Sequence, residues 1–387
     1  MIHTLKRYSE THDIWGKLDT KENQEINRTV HTYLLELVKI CKKRREVLKF
    51  NESYEPIKFI QNILRNLGCF EICMKISQLI LTIQEAEGGS EGNTTTRNNI
   101  SSVNKEIINN TRQLAFESND LLYWFTIDNP LNQSLVYTEL KFFMKTVDDK
   151  IASHRVITAI FQDNIDLMEL VPKKYISEFV DHICNLGKRP QYLSLMSSII
   201  SVGEKNMIRN QYEVIRLMSS PENVKKVTQY FVNINHPEYS KKIRLMSHYL
   251  NSKDVTVEEL PPDLAYHLEL MQLLSSCTIG TSGMTSIEAK VQSMYHFVDV
   301  IDAMLDPNCL LLAKIRLGLF LYNAALDVET PIPAIKDAAC IWRLLIAAQD
   351  VIAFAKDELR QIEKNGWDSP SSNRQRIEYM IVNVMIV

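Results

Sequence analysis

Two cysteines, Cys69 and Cys73, stand at i and i+4, the spacing that places two side chains on one face of a helix. Such a pair can supply half of a metal site. A structural zinc needs four ligands, and no second Cys/His pair with finger spacing follows, so the pair reads as two small core residues. The other cysteines are Cys41, Cys184, Cys277, Cys309 and Cys340, and most of the seven sit inside apolar helical patterns. An odd total of seven fits reduced, buried thiols and not a disulfide framework. Carboxylates cluster at Asp148-Asp149, at Glu258-Glu259 and at Asp263, where they could offer oxygens to a cation. They lack the alternating spacing and the turn glycine of a calcium loop, and Glu258–Asp263 flanks Pro261-Pro262, a stiff approach to a helix start. The histidines His154, His182, His236, His248, His267 and His296 fall in or beside helical segments, where a single imidazole is more often a packed or solvated residue than a catalyst. Basic runs at Lys42-Lys43-Arg44-Arg45 and Lys241-Lys242-Ile243-Arg244 could line a phosphate groove, but solvated helix faces explain them more simply. The first run also suits the C-terminal end of a helix. The hydrolase, zinc-protease and glycine-rich phosphate-binding motifs do not occur in the sequence. No catalytic, cofactor-binding or metal-ligating residue is therefore expected, and the chain reads as a non-enzyme.

The elements that would position such residues are helices. The chain has 387 residues with 11 Gly and 12 Pro, each about 3% where averages near 7% and 5% are usual. So few turn residues argue against sandwiches, barrels and nucleotide-cradling α/β folds. The formal net charge of −3 gives no whole-chain drive toward nucleic acid or anionic lipid. No run of 18 or more apolar residues occurs, and Met1–Tyr8 has no signal-peptide core. Ile26, Val30, Tyr33, Leu34, Leu37, Val38 and Cys41 follow the helical period. The same period predicts helices over 54–67, 70–86, 102–117, 119–127, 131–147, 149–161 and 175–186. It continues through 190–203, 206–218, 237–251, 262–277, 284–305, 308–326, 331–348 and 350–364. Gly68, Gly187, Gly203 and Gly280 stand where helices close. Residues 87–101 are polar and glycine-rich and read as a disordered loop; a second polar break lies at 364–373. The pattern predicts an all-α chain, built as a right-handed armadillo- or HEAT-like solenoid of degenerate repeats. The expected organisation is helical repeats over 1–128, a solenoid over 129–365, and a linker with the start of a further helix over 366–387. The apolar end, Tyr379–Val387, stops in mid-pattern, which suggests a segment of something longer.

Two stretches are more specific than periodicity. One runs from Gly187-Lys-Arg-Pro-Gln-Tyr192 through Asn210-Gln211. The other is Tyr266-His-Leu-Glu-Leu-Met-Gln-Leu-Leu-Ser-Ser-Cys-Thr-Ile-Gly280, followed by Glu288-Ala-Lys290, Val298–Ile301 and Asp306–Asn323. These blocks resemble the homology domain shared by the ryanodine and inositol trisphosphate receptors. The resemblance reaches N-terminally through Tyr33–Gly68, and its order of blocks is most similar to the central armadillo-type solenoid of the inositol trisphosphate receptor.

That resemblance implies an α-helical superhelix on the cytosolic side of the endoplasmic reticulum. In the family it links ligand-sensing domains to a pore and docks on other domains or subunits of the same channel, a homotetramer. No β-trefoil pattern or pore helices accompany it here, so the family's ligand-binding arginines and lysines cannot be carried over. The implied function is a regulatory or coupling solenoid of a calcium-release channel, with no nucleic-acid partner and no membrane insertion by this segment. The alternative is a stand-alone armadillo-like adaptor that presents a groove to a peptide. Tyr192, Tyr212, Tyr295 and Trp342 are expected as core or interface anchors.

Overall fold

The computed structural model describes residues 1–387 except 11–17, 19, 45–53, 89–101, 148–149, 204, 229–236, 251, 253–254, 281–284, 330–331, 333–338, 366–373 and 387. Most of the 87–101 loop, Asp148-Asp149, His236, Arg45 and most of the 364–373 break thus lie outside the described residues. The fold is all-α. The chain divides into two compact units, the first made of Met1–Val47 and Asn51–Leu167, the second essentially of Met168–Val387.

The first unit holds α1 (Ile2–Ser9), α2 (Lys21–Cys41), α3 (Lys58–Asn66), α4 (Cys69–Ser77), α5 (Leu79–Gly88), α6 (Ser102–Thr126), α7 (Pro130–Tyr137), α8 (Leu140–Lys145) and α9 (Ser153–Phe161). Between α2 and α3 a two-stranded antiparallel ribbon pairs β1 (Lys42–Arg44) with β2 (Tyr54–Pro56), in the register Lys42 opposite Pro56. Helix α10 (Ile165–Leu170) spans the division. The second unit holds α11 (Lys173–Leu186), α12 (Pro190–Ser197), α13 (Ile208–Met218), α14 (Val224–Val227), α15 (Pro237–Ser247) and α16 (Pro262–Thr278). It continues with α17 (Thr285–Met294), α18 (Phe297–Leu305), α19 (Leu311–Leu321), α20 (Ala339–Asn365) and α21 (Arg374–Ile386). A second small ribbon pairs β3 (Ser201–Val202) with β4 (Lys205–Asn206).

Within each unit the helices stack as in an α-solenoid. In the first, α6 is the central rod and packs on α2, α4 and α9. Its Leu114, Ala115, Leu121, Leu122 and Phe125 are fully buried. Burying each large apolar side chain contributes roughly 1.5–3 kcal/mol, which is how a helix this long is fixed. In the second unit α16 is central, packing on α12, α13, α17 and α19. Helix starts follow ordinary capping chemistry. Thr20 Oγ1 accepts the Asn23 N–H at 3.1 Å to open α2, and Asn129 caps α7 with Pro130 at its first turn.

Where the periodic reading and the structure differ, a local cause is visible. The helix expected from residue 54 begins at Lys58, because Tyr54–Pro56 pairs with the basic run as a strand. The segments 102–117 and 119–127 form one helix, since buried Ser118 and Asn119 turn inward and bond without breaking it. The segments 131–147, 190–203 and 284–305 are broken into shorter pieces, at residues 138–139, after Ser197 and at 295–296. Among the described residues no single helix is long and apolar enough to cross a membrane. A pair that reaches that length together, Lys58–Asn66 with Cys69–Ile83, is bent by 79°. The bend sits at Gly68, whose φ of +77° only glycine adopts without strain.

Candidate functional site: buried amide clamps at helix ends

The residue types that could do chemistry are mostly used in packing. Cys69 and Cys73 are buried with their sulfurs 3.8 Å apart. The bond between the two thiols, then burial, pushes the Cys69 thiol well above its ordinary range. Burial also raises Cys41 and Cys309, each to about 12. No group of three or more His, Cys, Asp or Glu side chains is placed to hold a metal among the described residues. Glu259 is spent on its own turn, where its Oε2 accepts the Thr256 N–H at 3.0 Å.

The basic runs are engaged too. The first run continues past the end of α2 as strand β1. Lys42 lies over the rings of Tyr54 and Trp124, at 4.6 and 5.1 Å, and Lys43 pairs with Glu55 at 2.6 Å. In the second run Lys241 is exposed, but Lys242 is buried, with its ammonium 3.3 Å from Asp263. The solvated-face reading of that run therefore fails at Lys242. Lys242 shares the inward face of α15 with Tyr239 and Met246, both buried, at the i−3 and i+4 positions.

Around Lys242 a buried basic cluster forms in the second unit. Lys188 Nζ donates to the Thr228 carbonyl at 2.6 Å, and burial together with the charge of Lys242 lowers its pKa. His267 packs edge-on to Tyr295, with centroids 6.3 Å apart. Burial, then the charges of Lys242 and Lys188, pull its imidazole down to about 3, so the ring is neutral. The neighbouring Tyr266 hydroxyl donates to the Val227 carbonyl at 2.8 Å. Of the expected anchors, Tyr192 and Tyr295 are buried and Trp342 is exposed.

What distinguishes the core is a set of buried amides that close helix C-termini. A helix end leaves carbonyls with no partner inside the helix, and burying one unsatisfied costs about 1–3 kcal/mol. Gln61 of α3 donates from Nε2 to the carbonyls of Trp124 and Ile127, both at 2.8 Å, at the end of α6. Gln133 of α7 does the same to Ala159 and Gln162 at the end of α9, at 2.9 and 2.7 Å. Gln211 of α13 does it to Ser276 and Ile279 at the end of α16, at 3.1 and 3.2 Å. Each time the two acceptors are three residues apart and the next residue is left-handed: Asp128 at φ +57°, Asp163 at +55° and Gly280 at +71°.

In the first two clamps an asparagine follows. Asn129 and Asn164 donate from Nδ2 to the Oε1 of Gln61 and Gln133, at 3.1 and 2.9 Å. Their own oxygens accept the N–H of Asn132 and Leu167, at 3.3 and 3.1 Å. One side-chain pair thus ends a helix, turns the chain and starts the next helix. A simpler version ends the turn before α9, where Asn119 donates to the Ile151 carbonyl at 2.7 Å, ahead of left-handed Ala152.

The third clamp joins two of the sequence blocks, since Gln211 closes one and Ser276–Gly280 the other. The Asp306–Asn323 block joins the same end. Ser275 Oγ donates to the Leu319 carbonyl at 3.1 Å, and Asn323 Nδ2 donates to Ser275 Oγ at 2.9 Å. Arg316 also bonds Gln272.

The family model for the RIH domain of the ryanodine and inositol trisphosphate receptors matches residues 4–224, more than half of the chain. This chain belongs to that family. A 221-residue stretch covering 55% of the chain is 28% identical to the inositol 1,4,5-trisphosphate receptor itr-1 of Caenorhabditis elegans. It covers only 7% of that receptor's length. All the residues of the first two clamps, and Gln211, lie inside the matched RIH region.

Sequence reasoning registered the block that closes on Asn210-Gln211 but not the clamps. The signal was present as Asn-Gln at 132–133 and 210–211, and as Asp-Asn at 128–129 and 163–164. In each Asn-Gln pair the asparagine closes a carbonyl as well: Asn132 bonds Phe125 at 2.7 Å and Asn210 bonds Ile199 at 2.8 Å.

Proposed function

We propose that this chain is a non-catalytic coupling segment of an intracellular calcium-release channel related to the inositol trisphosphate receptor. It would carry conformational change between ligand-sensing and pore domains on the cytosolic face of the endoplasmic reticulum. Its partners would be other domains or subunits of the same channel, a homotetramer. The observation that supports this reading is the set of buried amide clamps in an RIH-family chain. A segment that transmits a movement needs helices that hold their places, and the buried amide bonds at helix ends supply such local rigidity.

The test is a chimera. The 221-residue matched stretch of the C. elegans receptor is replaced by its counterpart from this chain, and agonist-evoked calcium release from microsomes is measured. Release should be retained. A chimera that assembles and binds agonist but never releases calcium would sink the proposal. So would micromolar inositol trisphosphate binding by the isolated chain in calorimetry, because that would make this segment a sensor.

A further inference from the structure

A cavity of about 420 Å³ lies in the second unit, bordered by α19, α20 and α21. Leu250, Leu310, Leu311 and Val351 form its apolar walls, and Lys314, Arg376 and Tyr379 supply its polar side. That volume is within the size range of small-ligand sites.

The two cations in the lining differ. Arg376 is bonded to Glu358. The Lys314 ammonium has no hydrogen bond or ion pair among the described residues, and the residue is partly buried. Neither of the acidic neighbours that act on it, Asp306 and Cys309, bonds its ammonium among the described residues. Asp306 accepts the Tyr239 hydroxyl at 2.6 Å and the Asn308 N–H at 2.8 Å. Cys309 is a buried thiol held protonated by burial. Lys314 also sits in the first turns of α19, where the helix dipole disfavours a cation. A partly buried ammonium in a mostly apolar cavity, with no ion pair among the described residues, is costly, and an anion that brings its own apolar body lowers that cost.

We infer that this cavity binds a small amphipathic anion, an apolar chain or ring system carrying one carboxylate, sulfonate or phosphate, with the anionic group on Lys314. The inference stands apart from the coupling role and holds or fails without it.

The test uses the full chain and 1-anilinonaphthalene-8-sulfonate, whose fluorescence rises in apolar surroundings. Dodecanoate and dodecanol serve as charged and neutral competitors. One saturable site per chain is expected, with dodecanoate displacing the dye at least about tenfold better than dodecanol, the advantage a charge-assisted contact confers. Lys314→Met should bring the two competitors within about twofold of each other while dodecanol binding persists. Leu311→Trp should fill the cavity and abolish both. If that variant loses its cooperative melt, Leu250→Trp at the rim replaces it. Unsaturable dye binding, a charge preference that survives in Lys314→Met, or undiminished binding in a folded tryptophan variant would each overturn the inference. So would an equal preference for dodecanol in the native chain, which would make the cavity a seat for an apolar side chain of another segment.

Discussion

Replacing Gln133 by Met tests the amide clamps at their most complete example. Methionine keeps the length and the apolar stem of glutamine but removes both donors and the acceptor. The carbonyls of Ala159 and Gln162 lose their 2.9 and 2.7 Å partners, and the Asn164 amide loses its 2.9 Å acceptor. Gln133 is 1% exposed, so water cannot substitute without opening the core. One buried acceptor left unpaired at about 1–3 kcal/mol, with a smaller cost at the part-buried Gln162 carbonyl, gives an expected loss of about 1–4 kcal/mol. Urea denaturation reads the loss as a lower midpoint at unchanged slope. Hydrogen exchange should place it, with protection falling first over α9 and the 162–167 turn. Asn164→Ala in the Gln133→Met background should add less than it does alone, because the two side chains are one network. Ser134→Ala, which removes only an exposed hydroxyl bonded to Pro130, should stay within about 0.5 kcal/mol. A Gln133→Met cost below about 1 kcal/mol, or additive effects with Asn164→Ala, would refute the claim that the clamp holds the helix ends.

Three further outcomes are expected. His31 bonds Glu117 at 2.7 Å and Asn110 at 3.1 Å between α2 and α6; burial opposes its charge, but those bonds and the Glu117 charge win and raise its pKa above 6.5. Because the folded value is raised, the stabilisation is complete below about pH 6.5 and fades as pH climbs through the folded pKa. Thermal melts over that window should therefore decline with pH in the native chain and flatten in His31→Gln, and identical slopes would contradict this. Gly280→Ala should cost about 1–3 kcal/mol, since φ is +71° and the added Cβ would lie 2.3 Å from Asn206 Nδ2; combining it with Asn206→Ala should recover the clash but not the backbone strain, and full recovery would remove backbone strain from the explanation. Among the seven cysteines a thiol reagent should modify partly exposed Cys184 first and the buried thiols only on unfolding, and rapid native-state loss of several thiols would contradict the packing described.

The fold class was legible because scarcity of Gly and Pro together with a helical period leaves few alternatives. Helix boundaries were less so. Tyr54–Pro56 carries nothing that marks it as a strand until its partner Lys42–Arg44 is known, and pairing partners are a tertiary fact. Lys242 could have been placed from the period, since Tyr239 and Met246 mark an inward face on either side of it. Its charge argued for solvent, and the nearby carboxylate of Asp263 makes the burial tolerable. The clamps were written in the sequence as Asn-Gln and Asp-Asn dipeptides. In an Asn-rich chain such pairs look accidental, and their unequal spacing hides the repeat. The acceptors they serve lie 26 to 68 residues away, so local propensity cannot reveal them.

The central claim is that this segment transmits movement, and the same chimeric receptor tests it most directly. Gln133→Met is introduced and two quantities are compared: agonist binding to the intact receptor and agonist-evoked calcium release. Binding should stay within about twofold while the agonist concentration for half-maximal release moves by about 5- to 150-fold, the range of ordinary coupling energies. Release that is unchanged although hydrogen exchange shows the clamp opened, or binding that falls in step with release, would contradict a coupling role.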